Sequence, residues 1–153
     1  LEIQILGGVQ GSIDGKPMNT SQHMLYQGMM VSDVPNMAMI IGYINASWTL
    51  KVDIAADYIC RLINHMDKNG FDEVIAHADP LQRENDTIMG KMSSGYIARA
   101  ADVMPKQGKQ APWKITNNYL VDRKELKDAK FDDGVLEFHK RGEQADRKPK
   151  LVS

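Results

Sequence analysis

One segment of the sequence, residues 47 to 66, limits the possible folds most, because it predicts a long amphipathic helix. Its apolar residues recur at spacings of three and four, which places them along one side of a helix. These residues are Trp48, Val52, Ala55, Ile59, Leu62 and Met66. Asn45 or Ser47 can cap the start of the helix, and Asn69-Gly70 can end it in a left-handed conformation.

The residues before this helix have the character of β-structure. In "LEIQIL", Leu1, Ile3 and Ile5 alternate with polar residues, which predicts a half-buried strand. "SIDGKP" contains Asp14-Gly15, a strong signal for a tight turn. "DVPN" predicts a second turn.

The apolar run "MAMII" ends at Gly42 and predicts a third β-element. A short continuous apolar run between turn residues is typical of a strand that is buried on both faces, as in a parallel sheet. Residues 37 to 66 would then form a strand, a short loop and a helix.

The C-terminal half is less regular. "SSGYIARAADVMPKQG" predicts a short helix that Ser93 or Ser94 caps and Pro105 ends. "APWKITNNYLVDRKELKDAKFDDGVLEFHK" predicts a further helix and a final strand. The charged residues from 140 to 153 are expected to form a disordered tail.

Composition excludes several classes of function. The chain is 42% apolar and 25% charged with a net charge of −1, which is ordinary for a globular protein and gives no reason to expect a nucleic-acid partner. No apolar run approaches the roughly 20 residues of a transmembrane helix. The single cysteine, Cys60, is expected to be a small core residue. The four histidines have no metal-ligand spacing, so no metal site is expected. Because the sequence opens at Leu1 on a strand-like run, we consider it as a fragment of a longer protein.

The loop "GYINAS" has two interpretations that the residues alone leave open. In open α/β sheets, ligands collect where strands end and helix N-termini present free N–H groups. Gly42 would let a ligand approach the backbone, while Tyr43 and Trp48 offer flat surfaces for stacking. In the other interpretation Gly42 is a turn residue, Ser47 is a helix cap, and Trp48 is the first core residue of the helix.

Longer stretches carry a resemblance to a known family. "YQGMMVSDVPNMAMIIG", "GYINASWTLKVDIAADYICRLINHMDKNGFDE" and "PKQG…PWKITNNYL…DDGVLEF" occur in the order found in the C-terminal part of class B flavin monooxygenases. The chain is most similar to the Baeyer–Villiger group, to which ethionamide-activating enzymes belong. The similarity runs from Leu1 to about His139 but covers only about the last third of such an enzyme.

The resemblance implies an α/β fold: the C-terminal segment of an FAD/NAD(P)-binding, Rossmann-type flavoprotein with two dinucleotide-binding domains. Residues 1–69 would supply the closing strands and final helix of the FAD-binding domain. Residues 70–139 would form a mainly helical C-terminal extension, and residues 140–153 the charged tail.

The resemblance also implies a flavin site at the loop. Its candidate cofactor-binding residues are Gly42, Asn45, Ser47, Thr49 and Leu50. Its candidate substrate-pocket residues are Tyr43 and Trp48, to which the residues alone add Met29 and Met30. No catalytic residue is assigned, because the glycine fingerprints and the arginine that the family uses are absent from this sequence.

For the whole enzyme, the family's activity is insertion of one oxygen atom from O₂ into a small hydrophobic ketone, thioether or thioamide through a C4a-(hydro)peroxyflavin. The cofactors would be FAD and NADPH, and the missing N-terminal FAD and NADPH domains would be the chain's partners. We expect a cytoplasmic protein and leave membrane association open. The fragment alone is expected to be inactive. The alternative is a non-catalytic module, from a split or decayed gene, that associates with another chain.

Overall fold

The computed structural model describes residues 4–90, 95, 99–141 and 143. Leu1 and Ile3 lie outside these residues. So do most of the helix predicted to start at Ser93 or Ser94 and most of the predicted tail from 140 to 153.

The predicted long helix is confirmed as α1, Trp48–Asn69. Ser47 is its N-cap residue, and Gly70 ends it with a φ of 68°, the left-handed conformation expected there. At 22 residues it is the longest element of the described chain. At 1.5 Å per residue it extends about 33 Å.

The side of α1 that packs inward differs from the predicted stripe. Its buried residues are Lys51, Ala55, Tyr58 and Leu62. Trp48 and Val52, which the stripe placed in the core, are 59% and 44% exposed. The expectation that Cys60 is a core residue is wrong, because Cys60 is exposed. The buried side of α1 is therefore rotated from the predicted stripe toward Lys51 and Tyr58, because the rest of the chain packs on that side.

In the part of the chain that the structure describes, eight short strands form four two-stranded antiparallel sheets. The pairs are β1 (Ser12–Ile13) with β2 (Lys16–Pro17), β3 (Leu25–Tyr26) with β4 (Met30–Val31), β5 (Glu73–Ala76) with β8 (Leu136–His139), and β6 (Arg83–Thr87) with β7 (Lys106–Gly108). A second helix, α2, spans Tyr119–Asp128 between β7 and β8. The further helix and final strand predicted for the C-terminal half are therefore confirmed. The extension 70–139 was expected to be mainly helical, but its described residues contain four strands, β5 to β8, beside the ten-residue α2.

Both predicted turns are confirmed by their backbone angles. Asp14 and Gly15 have φ values of 50° and 77° and join β1 to β2 as a two-residue hairpin loop. Positive φ at both positions is typical of a type I′ turn, whose twist matches that of the strands. Asp33 and Asn36 also have positive φ, at 59° and 53°, in the second turn.

Two strand predictions are wrong for the residues that the structure describes. Ile5–Gly8 forms a 3₁₀ turn, in which Leu6 and Gly7 have positive φ, so "LEIQIL" does not continue as a strand. Residues 37 to 41 form no parallel strand. They run antiparallel beside β4: Val31 N–H donates to Met37 O at 3.1 Å, and Met39 N–H donates to Met29 O at 2.8 Å. The described residues supply no parallel neighbour for this run, so β4 satisfies part of its backbone.

Two buried tyrosines link α1 to one segment before it and to one segment near the end of the described chain. Tyr58 OH donates to Tyr26 OH at 3.3 Å, and Tyr26 OH donates to Asp133 Oδ2 at 2.5 Å. Both tyrosines are fully buried in the main core cluster. Loss of hydration raises the pKa of both phenols, that of Tyr58 to about 12.

A pH dependence of stability follows from Tyr58. Above the ordinary tyrosine pKa of 10.0 the unfolded chain releases its proton, whereas the folded chain keeps it until about pH 12. The stabilisation is therefore fully present below pH 10.0 and is lost as the pH rises toward 12. In urea unfolding of the 153-residue chain at neutral and alkaline pH, we expect Tyr58→Phe to lose less stability than the parent, by up to about 2 kcal/mol.

Tyr119→Phe is the matched control, because it removes a hydroxyl group that makes no side-chain hydrogen bond to this cluster. An equal alkaline loss of stability in the parent and in Tyr58→Phe would contradict the prediction.

Candidate functional site

The loop between Gly42 and the start of α1 is the most exposed stretch that contains predicted site residues. Gly42 and Tyr43 are buried, whereas every residue from 44 to 50 is exposed. Candidate cofactor contacts Asn45, Ser47, Thr49 and Leu50 therefore lie together at the surface. The structure brings the predicted loop residues into one short, accessible segment.

Gly42 is required by the position of the Trp48 ring. A Cβ atom at residue 42 would lie 2.3 Å from Cγ and Cδ2 of Trp48, closer than real contacts allow. The indole thus covers the glycine backbone, although 59% of Trp48 remains exposed. Packing explains one side of this tryptophan and leaves most of its surface available.

The N-terminus of α1 has no side-chain cap. Ser47 occupies the capping position, but its Oγ lies 2.7 Å from Thr49 Oγ1 and makes no hydrogen bond to the helix backbone. The first four N–H groups of a helix lack intrahelical acceptors. No acidic residue lies in the first turn of α1. This end of the helix can therefore donate hydrogen bonds to the oxygen or nitrogen atoms of a ligand.

Tyr43 points into the chain. It is 3% exposed, its hydroxyl donates to Asp122 Oδ2 at 2.8 Å, and its ring meets Tyr119 edge-on at 6.3 Å. Burial, followed by the hydrogen bond to Asp122, raises the pKa of its phenol. Its role as a pocket wall stays a prediction, since in this chain the side chain packs against α2.

Met29 and Met30 belong to the main core cluster and are 0% and 2% exposed. Met30 also lines a groove of about 420 Å³ between α1 and the run from Met37 to Ala38. The other lining residues include Ile59, Ile63, Met66, Phe71 and Val74. The structure therefore places these methionines beside the groove or in the core, and their assignment to a substrate pocket also stays a prediction.

Lys51 and Asp122 lie near the loop, and neither was predicted from the sequence as a site residue. Lys51 is 4% exposed on the inward side of α1, and its Nζ lies 2.8 Å from Asp122 Oδ2 in α2. The only signal in the sequence is a lysine one turn after Trp48, close to the apolar stripe. Its partner is 71 residues away, and no local pattern points to it.

Among the described residues, no group of three or more His, Cys, Asp or Glu residues could hold a metal ion. Within the same part of the chain, neither helix is long and apolar enough to cross a membrane.

Known proteins similar to this chain are flavin enzymes. A probable FAD-binding monooxygenase AlmA from an Acinetobacter species is 96% identical over the whole chain, and that of Acinetobacter baylyi is 72% identical. The FAD-containing monooxygenase EthA of Mycobacterium tuberculosis is 43% identical over 92% of the chain. No protein-family model and no solved structure matches.

The chain is homologous to one segment of the FAD-binding monooxygenases. It spans about three-tenths of the length of these relatives: 31% of the AlmA proteins and 29% of EthA. The resemblance to flavin monooxygenases is confirmed, and partial coverage is consistent with a C-terminal part. The names of these relatives confirm FAD as their cofactor.

The exposed donor groups of the loop are of a kind from which a flavin can accept hydrogen bonds. A flavin ring presents carbonyl oxygens and ring nitrogens as acceptors, and the uncapped start of α1 presents N–H donors with no acidic residue beside them. Asn45, Ser47 and Thr49 are exposed at the same place. The chemistry of the donors is thus suited to the group that the relatives bind.

The fit of Trp48 against Gly42 gives a prediction for the 153-residue chain. Gly42→Ala should push the indole away from the backbone, because the new methyl group would occupy its place. Since the ring is at the surface and can swing out, the loss of stability should be only about 1 kcal/mol. With 5-fluorotryptophan incorporated, the ¹⁹F signal of Trp48 should move toward its solvent-exposed position, while that of buried Trp113 stays in place.

Gly11→Ala is the matched control: its φ is not positive, and its new Cβ would meet Met18 at an ordinary 3.6 Å. If Gly42→Ala left the Trp48 signal as unchanged as Gly11→Ala does, the close approach would be wrong.

Proposed function

We propose that this chain is the C-terminal portion of an FAD- and NADPH-dependent monooxygenase that inserts one oxygen atom from O₂ into a small hydrophobic ketone, thioether or thioamide. In the whole protein, residues 1–69 would complete a Rossmann-type FAD-binding domain. Residues 70–139 would form an extension packed on it. Its homology to AlmA and EthA, both named as FAD monooxygenases, supports the cofactor and the reaction class.

The observation that carries the proposal for the site is the exposed, uncapped start of α1. Every residue from 44 to 50 is exposed, and the first turn contains no carboxylate. Water satisfies the exposed N–H groups of a helix start when no ligand is bound, and a flavin carbonyl oxygen or ring nitrogen can replace that water. A flavin seated there would accept from these N–H groups.

The apolar surface of α1 supports the presence of further polypeptide. Val52 and Ile63 are 44% and 50% exposed on the same side of the helix as Trp48. This surface continues into the groove beside Met37 and Ala38. Such a surface is typical of an interface, and the relatives' additional length would supply its partner.

Bound FAD, reduced by NADPH, would supply the activation of O₂. The residues of this chain would bind and shield it. Asn45, Ser47 and Thr49 would contact the flavin, in part through backbone N–H groups, and Leu50 would do so through its side chain, because its N–H already donates to Ser47 O at 3.2 Å. Gly42, which was also a candidate contact, lies beneath the Trp48 ring and would support that ring instead. Trp48, with Tyr43 behind it, would form a wall that excludes water from the reacting atoms and shapes the entry of substrate.

Replacing Trp48 with alanine in the full-length monooxygenase tests the assignment of this wall. Opening the site to water should raise the release of H₂O₂ for each NADPH oxidised, or shift the preference among substrates. The measurement is product and H₂O₂ formed per NADPH consumed. Leu81→Ala removes a comparably exposed apolar side chain, 76% exposed, from a turn outside the loop and is the control. Unchanged coupling together with an unchanged substrate range would show that Trp48 is not part of the pocket.

The isolated 153-residue chain is expected to bind no stoichiometric FAD. Its sequence contains no glycine fingerprint for the pyrophosphate, so only the ring side of the cofactor would meet its residues. The absorbance spectrum after purification with added FAD and desalting measures this directly. A yellow protein with one FAD per chain would contradict the expectation that this chain contacts only the ring side of the cofactor.

A further inference from the structure

The buried carboxylate of Asp122 binds the residues on either side of the exposed loop 44–47 through hydrogen bonds. Asp122 Oδ2 accepts hydrogen bonds from Tyr43 OH and from Lys51 Nζ, each at 2.8 Å, and Oδ1 accepts one from Thr116 Oγ1 at 3.2 Å. These donors come from three segments: the loop, α1 and the stretch before α2. One carboxylate therefore fixes their relative positions.

Burial makes this arrangement costly to disturb. The side chains of Lys51 and Asp122 are 5% and 12% exposed. A charge left alone in such a place loses its hydration without compensation. Lys51 Nζ also lies 5.5 Å from the centroid of the Tyr43 ring, so the cation contacts both its counterion and the tyrosine.

The network lies next to the exposed part of the loop. Tyr43 directly follows Gly42, and the N–H of Ile44 approaches Asn117 Oδ1 at 3.5 Å. Beyond Ile44 the loop is exposed until α1 begins. The position of Gly42, and hence the seat of the Trp48 ring, depends on where Tyr43 is held.

The helices have a separate attachment further along. Arg61 of α1 donates to the carbonyl oxygen of Leu126 and to that of Ala129. Leu126 is itself buried in the main core cluster. Packing of α1 against α2 thus has support that does not involve Lys51. A buried ion pair is also weak evidence for added stability, because the cost of desolvation offsets its attraction.

We propose that Lys51, Asp122 and Tyr43 are positioning residues that set the placement of the flavin-facing loop. The inference rests on the function proposed above and adds residues that do not themselves touch the flavin. They act through the backbone of Gly42 and Tyr43 and through the ring of Trp48. Disrupting them should change the surroundings of bound FAD as well as the stability of the protein.

The test compares variants of the full-length monooxygenase: Tyr43→Phe, Asp122→Asn and the double variant Lys51→Met/Asp122→Leu. The measurements are the visible absorbance spectrum of bound FAD, the ratio of H₂O₂ to product, and the urea midpoint. Asp57→Asn is the matched control, because it makes the same charge change in the exposed pair that Arg61 forms with Asp57 on α1.

We expect Asp122→Asn to raise the ratio of H₂O₂ to product on the order of tenfold and to shift the FAD spectrum, since small displacements at a reacting centre cost this much. Its urea midpoint should fall, because Lys51 is left buried without a counterion. The double variant should regain the midpoint, as apolar replacements of buried pairs do, and keep the altered spectrum and ratio. Tyr43→Phe keeps the ring and both charges, so it carries the test if Asp122→Asn does not fold.

If the double variant regained the normal spectrum and coupling along with its midpoint, the pair would be structural only and the proposal would be overturned. The same holds if Asp122→Asn and Tyr43→Phe both matched Asp57→Asn. The Trp48→Ala variant distinguishes failure of the positioning role from failure of the proposed flavin site. An effect of Trp48→Ala without any effect of the Asp122 and Tyr43 variants rejects the positioning role alone. No effect of any of them rejects the flavin-facing loop itself.

Discussion

Helix α1 has more apolar surface than the described chain can cover. Ala55, Tyr58 and Leu62 face inward, yet Val52 and Ile63 remain about half exposed on the adjoining side. The four small sheets are too short to enclose a helix about 33 Å long from both sides. The inward side determines how the chain packs on itself, and the outward side remains available for contact with further polypeptide.

Two carboxylates, the buried Asp122 and the exposed Asp133, complete the inward side, and each accepts a hydrogen bond from a distant part of the chain. Asp133 accepts from Tyr26 OH through one oxygen and from the N–H groups of Val135 and Leu136 through the other. Asp122 accepts from α1, from the loop and from Thr116. Residues before Gly70 and after it are therefore joined by hydrogen bonds, and loss of those to Asp122 would leave charge buried. These hydrogen bonds fix the positions of the segments relative to α1, which the two-stranded sheets alone would not do.

Local features were predictable from the sequence, whereas features that depend on distant partners were not. Asp14-Gly15 and Gly70 dictate their own backbone conformations, so the hairpin and the end of α1 were predicted correctly. The rotation of α1 was not, because a 3.6-residue period identifies an apolar stripe but not which edge of it meets the rest of the chain. The run from 37 to 41 has the composition of a parallel strand, and its antiparallel contact with β4 depends on what else is present. In the site, the exposed loop was predictable and the Lys51–Asp122 pair was not.

The two interpretations of Trp48 are compatible in this geometry. One side of the indole lies on the backbone of Gly42, so tightly that a methyl group there would collide with it. More than half of the residue is nevertheless exposed, next to helix N–H groups that have no side-chain cap. A ring that served only as packing would bury more of its area, since the gain grows with the apolar surface removed from water. The proposed pocket wall would use the same arrangement, because one side of the ring lies on Gly42 while the other side stays free.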